Sequence, residues 1–109
     1  MNDTITPAEL MTKLISKKDI QILDVRRKND IDSDPTMIPG ATWHDPDPAK
    51  AEIWAEDLSP EKEVVIYCAR GGSVSKTTTE MLRNKGLSVQ FVEGGIAGWK
   101  ENGGEVKPR

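Results

Sequence analysis

Cys68-Ala-Arg-Gly-Gly-Ser73-Val-Ser75 is the one segment of this chain with a sharp chemical signature. A thiol ends a strongly apolar run, a glycine-rich turn follows, and a helical pattern begins directly after it. The carboxyl edge of a parallel α/β sheet is where ligands bind. The first N–H groups of a helix are unpaired and partly positive, which favours the thiolate, the nucleophilic form of cysteine. Gly71 and Gly72 lack Cβ atoms, so successive amides are expected to curl into an anion-binding nest. Arg70 adds a planar cation able to hold an oxyanion from the rim. A free cysteine is most often inert packing. An Arg-Gly-Gly-Ser sequel at a strand-to-helix turn argues otherwise, because a packed cysteine needs no cradle. The expected chemistry is a thiolate attacking an anionic substrate.

Three competing motifs fail on spacing. In a G-x-x-x-x-G-K-[ST] loop ending at Lys76-Thr77, Arg70 and Ser75 stand where the two glycines belong. A C-x5-R phosphatase loop needs arginine where this chain has Val74. Asp30, Asp32 and Asp34 imitate the opening of a calcium loop, yet Pro35 and Ala41 occupy the required Gly and Glu positions. That run reads as a solvated loop. The sole histidine, His44, has no spacing that ties it to Cys68, and a surface or capping role is expected. Trp43, Trp54 and Trp99 read most simply as core residues, with a place on a pocket rim the lesser alternative.

The elements that must hold Cys68 can be read from periodicity. Thr6-Pro7-Ala8-Glu9 is a capping box, and Leu10, Met11, Leu14 and Ile15 form the apolar stripe of the helix it opens. Ile20 to Val25 reads as a buried strand. Asp30 to Pro39 reads as loop, Ala41 to Trp43 as a brief strand, and Asp45 to Asp57 as one or two helical turns. Glu63 to Cys68 is the strongest strand signal, continuously apolar from Val64 on as expected of a strand covered on both faces. Val74 to Lys85 reads as a helix with Val74, Thr78, Met81 and Leu82 inward, ended by Gly86 in the left-handed region. Ser88 to Val92 is the next strand and Ile96 to Glu101 a short helix. The stretch from Cys68 to Ser88 has room for the helical crossover that parallel strands require. The pattern is an α/β domain with a mostly parallel sheet.

Composition agrees. One domain is expected over residues 1–109, with 36% hydrophobic and 30% charged residues and a net charge of −3. There is no basic excess to attract nucleic acid and no span for a membrane. A single cysteine forbids an internal disulfide and cannot supply the thiolates of a structural zinc site. Met1 to Glu9 has neither a basic nor an apolar leader region, so a cytoplasmic location is expected.

Four motifs in order then resemble the rhodanese-like sulfurtransferase family over nearly the whole chain. Leu23-Asp24-Val25-Arg26 is similar to its D-V-R segment, and Ile38-Pro39-Gly40-Ala41 to its H-I-P-G-A segment, with Met37 in place of the histidine. Val65-Ile66-Tyr67-Cys68 leads into the active loop, and Glu93 to Trp99 resembles the closing G-G-x-x-x-W. The resemblance implies a three-layer α/β/α fold with about five strands in a mostly parallel sheet. It implies Cys68 as the catalytic residue, and Ala69, Arg70, Gly71, Gly72, Ser73 and Val74 as the substrate cradle. Asp24 and Arg26 would form a structural ion pair. The implied reaction moves sulfane sulfur from a small anionic donor such as thiosulfate, through a Cys68 persulfide, to a thiol or cyanide acceptor. A sulfur-accepting protein is a further implied partner, and no cofactor or metal is implied. The other readings are a cysteine-dependent phosphatase or arsenate reductase, and a non-catalytic binding or sulfur-relay module.

Overall fold

The central strand, β5 (Glu63–Tyr67), sends Val64 and Ile66 to one side of its sheet and Val65 and Tyr67 to the other. All four are buried, which explains why no polar residue interrupts the run. The computed structural model describes residues 3–16, 19–70 and 72–108. Around β5 it builds a five-stranded sheet of parallel neighbours in the order β1 (Thr4–Ile5), β6 (Val89–Val92), β5, β2 (Ile20–Asp24), β4 (Ala41–Trp43). Helices α3 (Pro48–Trp54) and α4 (Ser73–Asn84) cover the face bearing Leu23, Val64, Ile66 and Phe91. Helices α1 (Pro7–Ile15) and α5 (Gly95–Glu101) cover the face bearing Ile22, Val65, Tyr67 and Val92. This is the α/β architecture expected, with α4 as the crossover between β5 and β6.

Local signals explain most of the boundaries. The Thr6 hydroxyl accepts the Glu9 N–H at 3.1 Å and the Glu9 carboxylate accepts the Thr6 N–H at 3.0 Å, closing the capping box. Gly86 turns the chain after α4 at φ +89°. Two readings need correction. Ile15 is 81% exposed, because on a helix it stands about 140° round from Leu10, beyond the apolar stripe. The segment read as loop from Asp30 to Pro39 contains most of a helix, α2 (Lys28–Ser33), and a strand, β3 (Thr36–Met37). The helix buries one residue, Ile31, and β3 pairs antiparallel with β7 (Lys107–Pro108). Neither has a periodic apolar pattern, so both depend on tertiary contacts.

A buried polar cluster ties these pieces together. Asp24 and Arg26 point to the same side of the chain and both are within 1% of full burial. The Arg26 guanidinium forks onto the Asp24 carboxylate at 2.7–3.1 Å. Its Nη1 and Nη2 groups also donate to the carbonyls of Asp34 (2.9 Å) and Thr36 (2.8 Å). The Tyr67 hydroxyl donates to Asp24 at 3.0 Å and accepts the Ile38 N–H at 3.3 Å. Burial and the Asp24 charge push the Tyr67 phenol well above its ordinary pKa, so it remains a donor. Replacing Arg26 with Met leaves the Asp24 carboxylate buried without its counter-charge, and a loss of about 3–5 kcal/mol is expected. Urea unfolding midpoints check this, and Asp24→Leu/Arg26→Met should lose less than Arg26→Met alone.

Candidate functional site

Cys68 follows β5 at the carboxyl edge of the sheet and is 6% exposed. Strand alternation puts its side chain with Val64 and Ile66, on the face covered by α4. Its carbonyl turns the other way and accepts the Ile96 N–H at 3.0 Å, while the Ala69 carbonyl accepts the Ala97 N–H at 3.1 Å. These donors belong to the first turn of α5, whose N–H groups have no partner within their own helix. In a trans peptide the N–H points opposite to the C=O. The amides of Ala69 and Arg70 therefore point away from α5, to the side on which Cys68 packs.

This contact explains Gly95, the second residue of the Gly94-Gly95 pair. The two residues adopt φ +77° and +62°. A Cβ on Gly95 would lie 2.4 Å from the Cys68 carbonyl oxygen and 2.7 Å from the Ala69 carbonyl group. Gly72 behaves differently from the expectation that glycine is needed for a curled nest. It is the N-cap of α4 with φ −86°, and a Cβ there would meet nothing within 4 Å. Gly71 lies outside the described residues. No side chain caps α4, so the amides of its first turn, from Ser73 to Ser75, stay available to an anion. Ser75 is fully buried, and neither its hydroxyl nor that of Thr79 one turn on has a hydrogen-bond partner among the described residues.

The cradle residues divide between two recesses. Ser73 and Val74 line a groove of about 460 Å³ with Arg27, Lys28, Trp43 and Thr77. Ala69 and Arg70 line a smaller recess of about 280 Å³ with Asp34, Ile96 and Lys100. Cys68 precedes all four in sequence and is in the lining of neither recess. Arg70 is exposed and has no side-chain partner among the described residues, so it faces the loop from the α5 side and not from the α4 groove. Asp34 does not offer a free negative charge there. Bonds from Lys100 and Thr36 hold its pKa at about 2.

Other expectations can be placed. The His44 ring packs against that of Trp54 with centroids 4.7 Å apart and a 40° tilt, and burial lowers its pKa against the opposing charge of Asp57. Trp99 is core, but Trp43 and Trp54 are half-buried, and Trp43 forms a groove wall. Among the described residues no group of three His, Cys, Asp or Glu is placed to hold a metal ion. No helix described is long and apolar enough to cross a membrane. The sequence reading did not place Arg27 and Lys28 beside Ser73 and Val74, although Arg26-Arg27-Lys28 directly after a core strand was the available signal.

Fold and site together define a cysteine-centred α/β domain, and comparison gives it a family. The model of the rhodanese-like domain matches residues 6–102, and the chain belongs to that family. A rhodanese-like domain protein from Staphylococcus aureus superimposes with a TM-score of 0.77 at 31% identity, covering 98% of this chain and 99% of that one. A thiosulfate sulfurtransferase from Pseudomonas aeruginosa shares the fold at a TM-score of 0.80 and 22% identity, over 98% of this chain and 20% of that one. The tRNA 2-selenouridine synthase of Shewanella sp. (strain MR-7) is 33% identical over 52 residues, 48% of this chain. That match spans 14% of the synthase's length.

Gly95 gives a direct test of the loop's support. Gly95→Ala adds a clash with the Cys68 carbonyl to the roughly 1–2 kcal/mol cost of a left-handed non-glycine residue. Gly86→Ala, at φ +89° with open space around it, carries the backbone cost alone. Gly95→Ala should unfold at lower urea and expose Cys68 to faster alkylation by iodoacetamide. Equal losses and equal alkylation rates would remove the carbonyl contact from the account.

Proposed function

We propose that this chain is a sulfurtransferase that carries sulfane sulfur on Cys68. The Cys68 thiolate attacks the outer sulfur of a donor such as thiosulfate. A new S–S bond forms, the donor's S–S bond breaks, and sulfite leaves with the electron pair. A thiol or cyanide acceptor then removes the sulfur from the persulfide, a two-step covalent route. The observation that carries this reading is the orientation of the loop. The Ala69 and Arg70 amides are turned by α5 toward the Cys68 side, beside an uncapped α4 N-terminus. Such fixed donors stabilise charge on the leaving oxyanion and on the terminal sulfur. Val74, at the position of a phosphatase loop's arginine, leaves phosphate without its grip and favours sulfur chemistry. A sulfur-accepting protein and a cytoplasmic setting, where a lone thiol stays reduced, complete the proposal.

Intact mass after incubation with thiosulfate tests it. The protein should gain one sulfur atom, lose it to a thiol, and gain none in Cys68→Ser, whose hydroxyl cannot hold a persulfide. Turnover surviving in a clean Cys68→Ser preparation would sink the mechanism. Arg70→Ala should raise KM for thiosulfate more than it lowers kcat, with kcat/KM falling about tenfold, as expected for a charge that binds ground and transition states alike. An unchanged KM at low ionic strength would leave the anion to the amides alone.

A further inference from the structure

The groove beside α4 has a charge pattern that the fold does not need. Its walls come from the turn after β2, the segment after β4 and the first turns of α4. Trp43 is fixed there because its indole N–H donates to the Arg26 carbonyl at 2.9 Å. Two carboxylates in the lining are already occupied. Asp45 accepts the Asp47 N–H at 2.9 Å and pairs with Lys50 at 3.1 Å, and Asp47 caps α3 through the Ala49 N–H at 2.9 Å. Arg27 and Lys28 are exposed, and neither side chain has a hydrogen-bond or ion-pair partner among the described residues. They also stand at the N-cap and first position of α2, where a helix favours anions and disfavours cations. Two unspent cations against an aromatic wall complement a ligand with a short apolar body and a negative end.

We propose that this groove binds the sulfur acceptor, a small thiol carrying a carboxylate or similar anionic group. Arg27 and Lys28 hold the anion, and Trp43 and Val74 pack along the carbon chain. The assignment rests on the Cys68 sulfur-carrier reading. Cys68 is not itself in the groove lining; Val74 is, and it packs against the buried cluster to which Cys68 belongs, so the proposal has the acceptor's thiol end reach Cys68 past this side chain. In the step concerned, the acceptor thiolate attacks the terminal sulfur of the Cys68 persulfide. The Cys68 Sγ–S bond breaks with its electron pair left on Sγ, and the acceptor departs as a persulfide.

Two thiols of similar length separate the anion from the thiol. Protein loaded from thiosulfate and freed of donor is mixed with 3-mercaptopropionate or with 2-mercaptoethanol, and persulfide loss is followed by intact mass. The quantity read is the ratio of the two rate constants, carboxylate over hydroxyl. Arg27→Gln/Lys28→Gln should lower that ratio about five- to tenfold, the scale of two exposed ion contacts. Arg27→Lys should keep most of it, and added salt should lower the wild-type ratio toward that of the double variant. A ratio that does not move in the double variant overturns the proposal, whatever happens to the separate rates. Failure of the wild type to load sulfur appears before any acceptor is added, and overturns the carrier reading and this assignment with it.

Discussion

The Asp24–Arg26 pair is the contact on which the rest of this molecule hangs. It lies where β2 ends, and its reach is set by the five donors of one guanidinium. Three of its contacts go to Asp24, and the others fix the carbonyls of Asp34 and Thr36. Taking both charges out of water is costly, and the return comes only if every donor and lone pair finds a partner. Burial opposes the charge on Arg26, but the bonds and charge of Asp24 outweigh it and hold the guanidinium above its ordinary pKa. The consequence is positional. A polar segment with one buried apolar residue, Ile31, takes a defined path because two of its carbonyls are held from beneath. Tyr67 carries the same cluster to the residue immediately before Cys68.

A second constraint acts on the residues immediately after. The first turn of α5 needs acceptors for its amides, and the loop after β5 supplies them from Cys68 and Ala69. Because each peptide is rigid and trans, fixing a carbonyl fixes the following N–H in the opposite direction. Helix α5 thus determines where the loop's donors point without touching the thiol. The Asp24 cluster sets the height of Cys68 at the sheet edge, and α5 sets the facing of its loop. The first contact runs through the Tyr67 side chain, before the loop, and the second through backbone groups, so neither depends on the loop's outward side chains.

What could be read from the chain follows the same division. The alternation of β5, the capping box at Thr6 and the crossover helix after Cys68 are local patterns, and each appears in the structure. Asp24 and Arg26 as an ion pair came from family resemblance, since two charges in an apolar run do not themselves say that they meet. Helix α2 and strand β3 were illegible because what holds them is distant: Arg26 from below and β7 from the far end of the chain. The residues expected to form one cradle, Ala69 to Val74, do not line one recess. One loop presents Arg70 to one recess and Ser73 to another, and only the turn between them decides that. Glycine was also misjudged as to place. The close approach that forbids a Cβ occurs at Gly95, not at Gly72.

The chain carries a net charge of −3, which by itself would repel an anionic donor or acceptor. Lys13, Arg26, Lys50, Lys62, Arg83, Lys85 and Lys100 each hold a carboxylate. Arg27, Lys28, Arg70 and Lys76 hold none among the described residues, and apart from Lys107 on the short β7 they are the described cations of which this is so. All four border the loop after Cys68 or the first two turns of α4, where the unpaired amides add positive potential of their own. With a screening length of about 8 Å at physiological salt, an approaching anion senses this local surface and not the distant net charge. Focusing of this kind raises the local concentration of anions at a cleft. Arg27 and Lys28 in the α4 groove and Arg70 in the α5 recess thus place cations without carboxylate partners in both recesses that the loop after Cys68 borders, while Lys76 lies apart from them in a recess with Asp3 and Glu80.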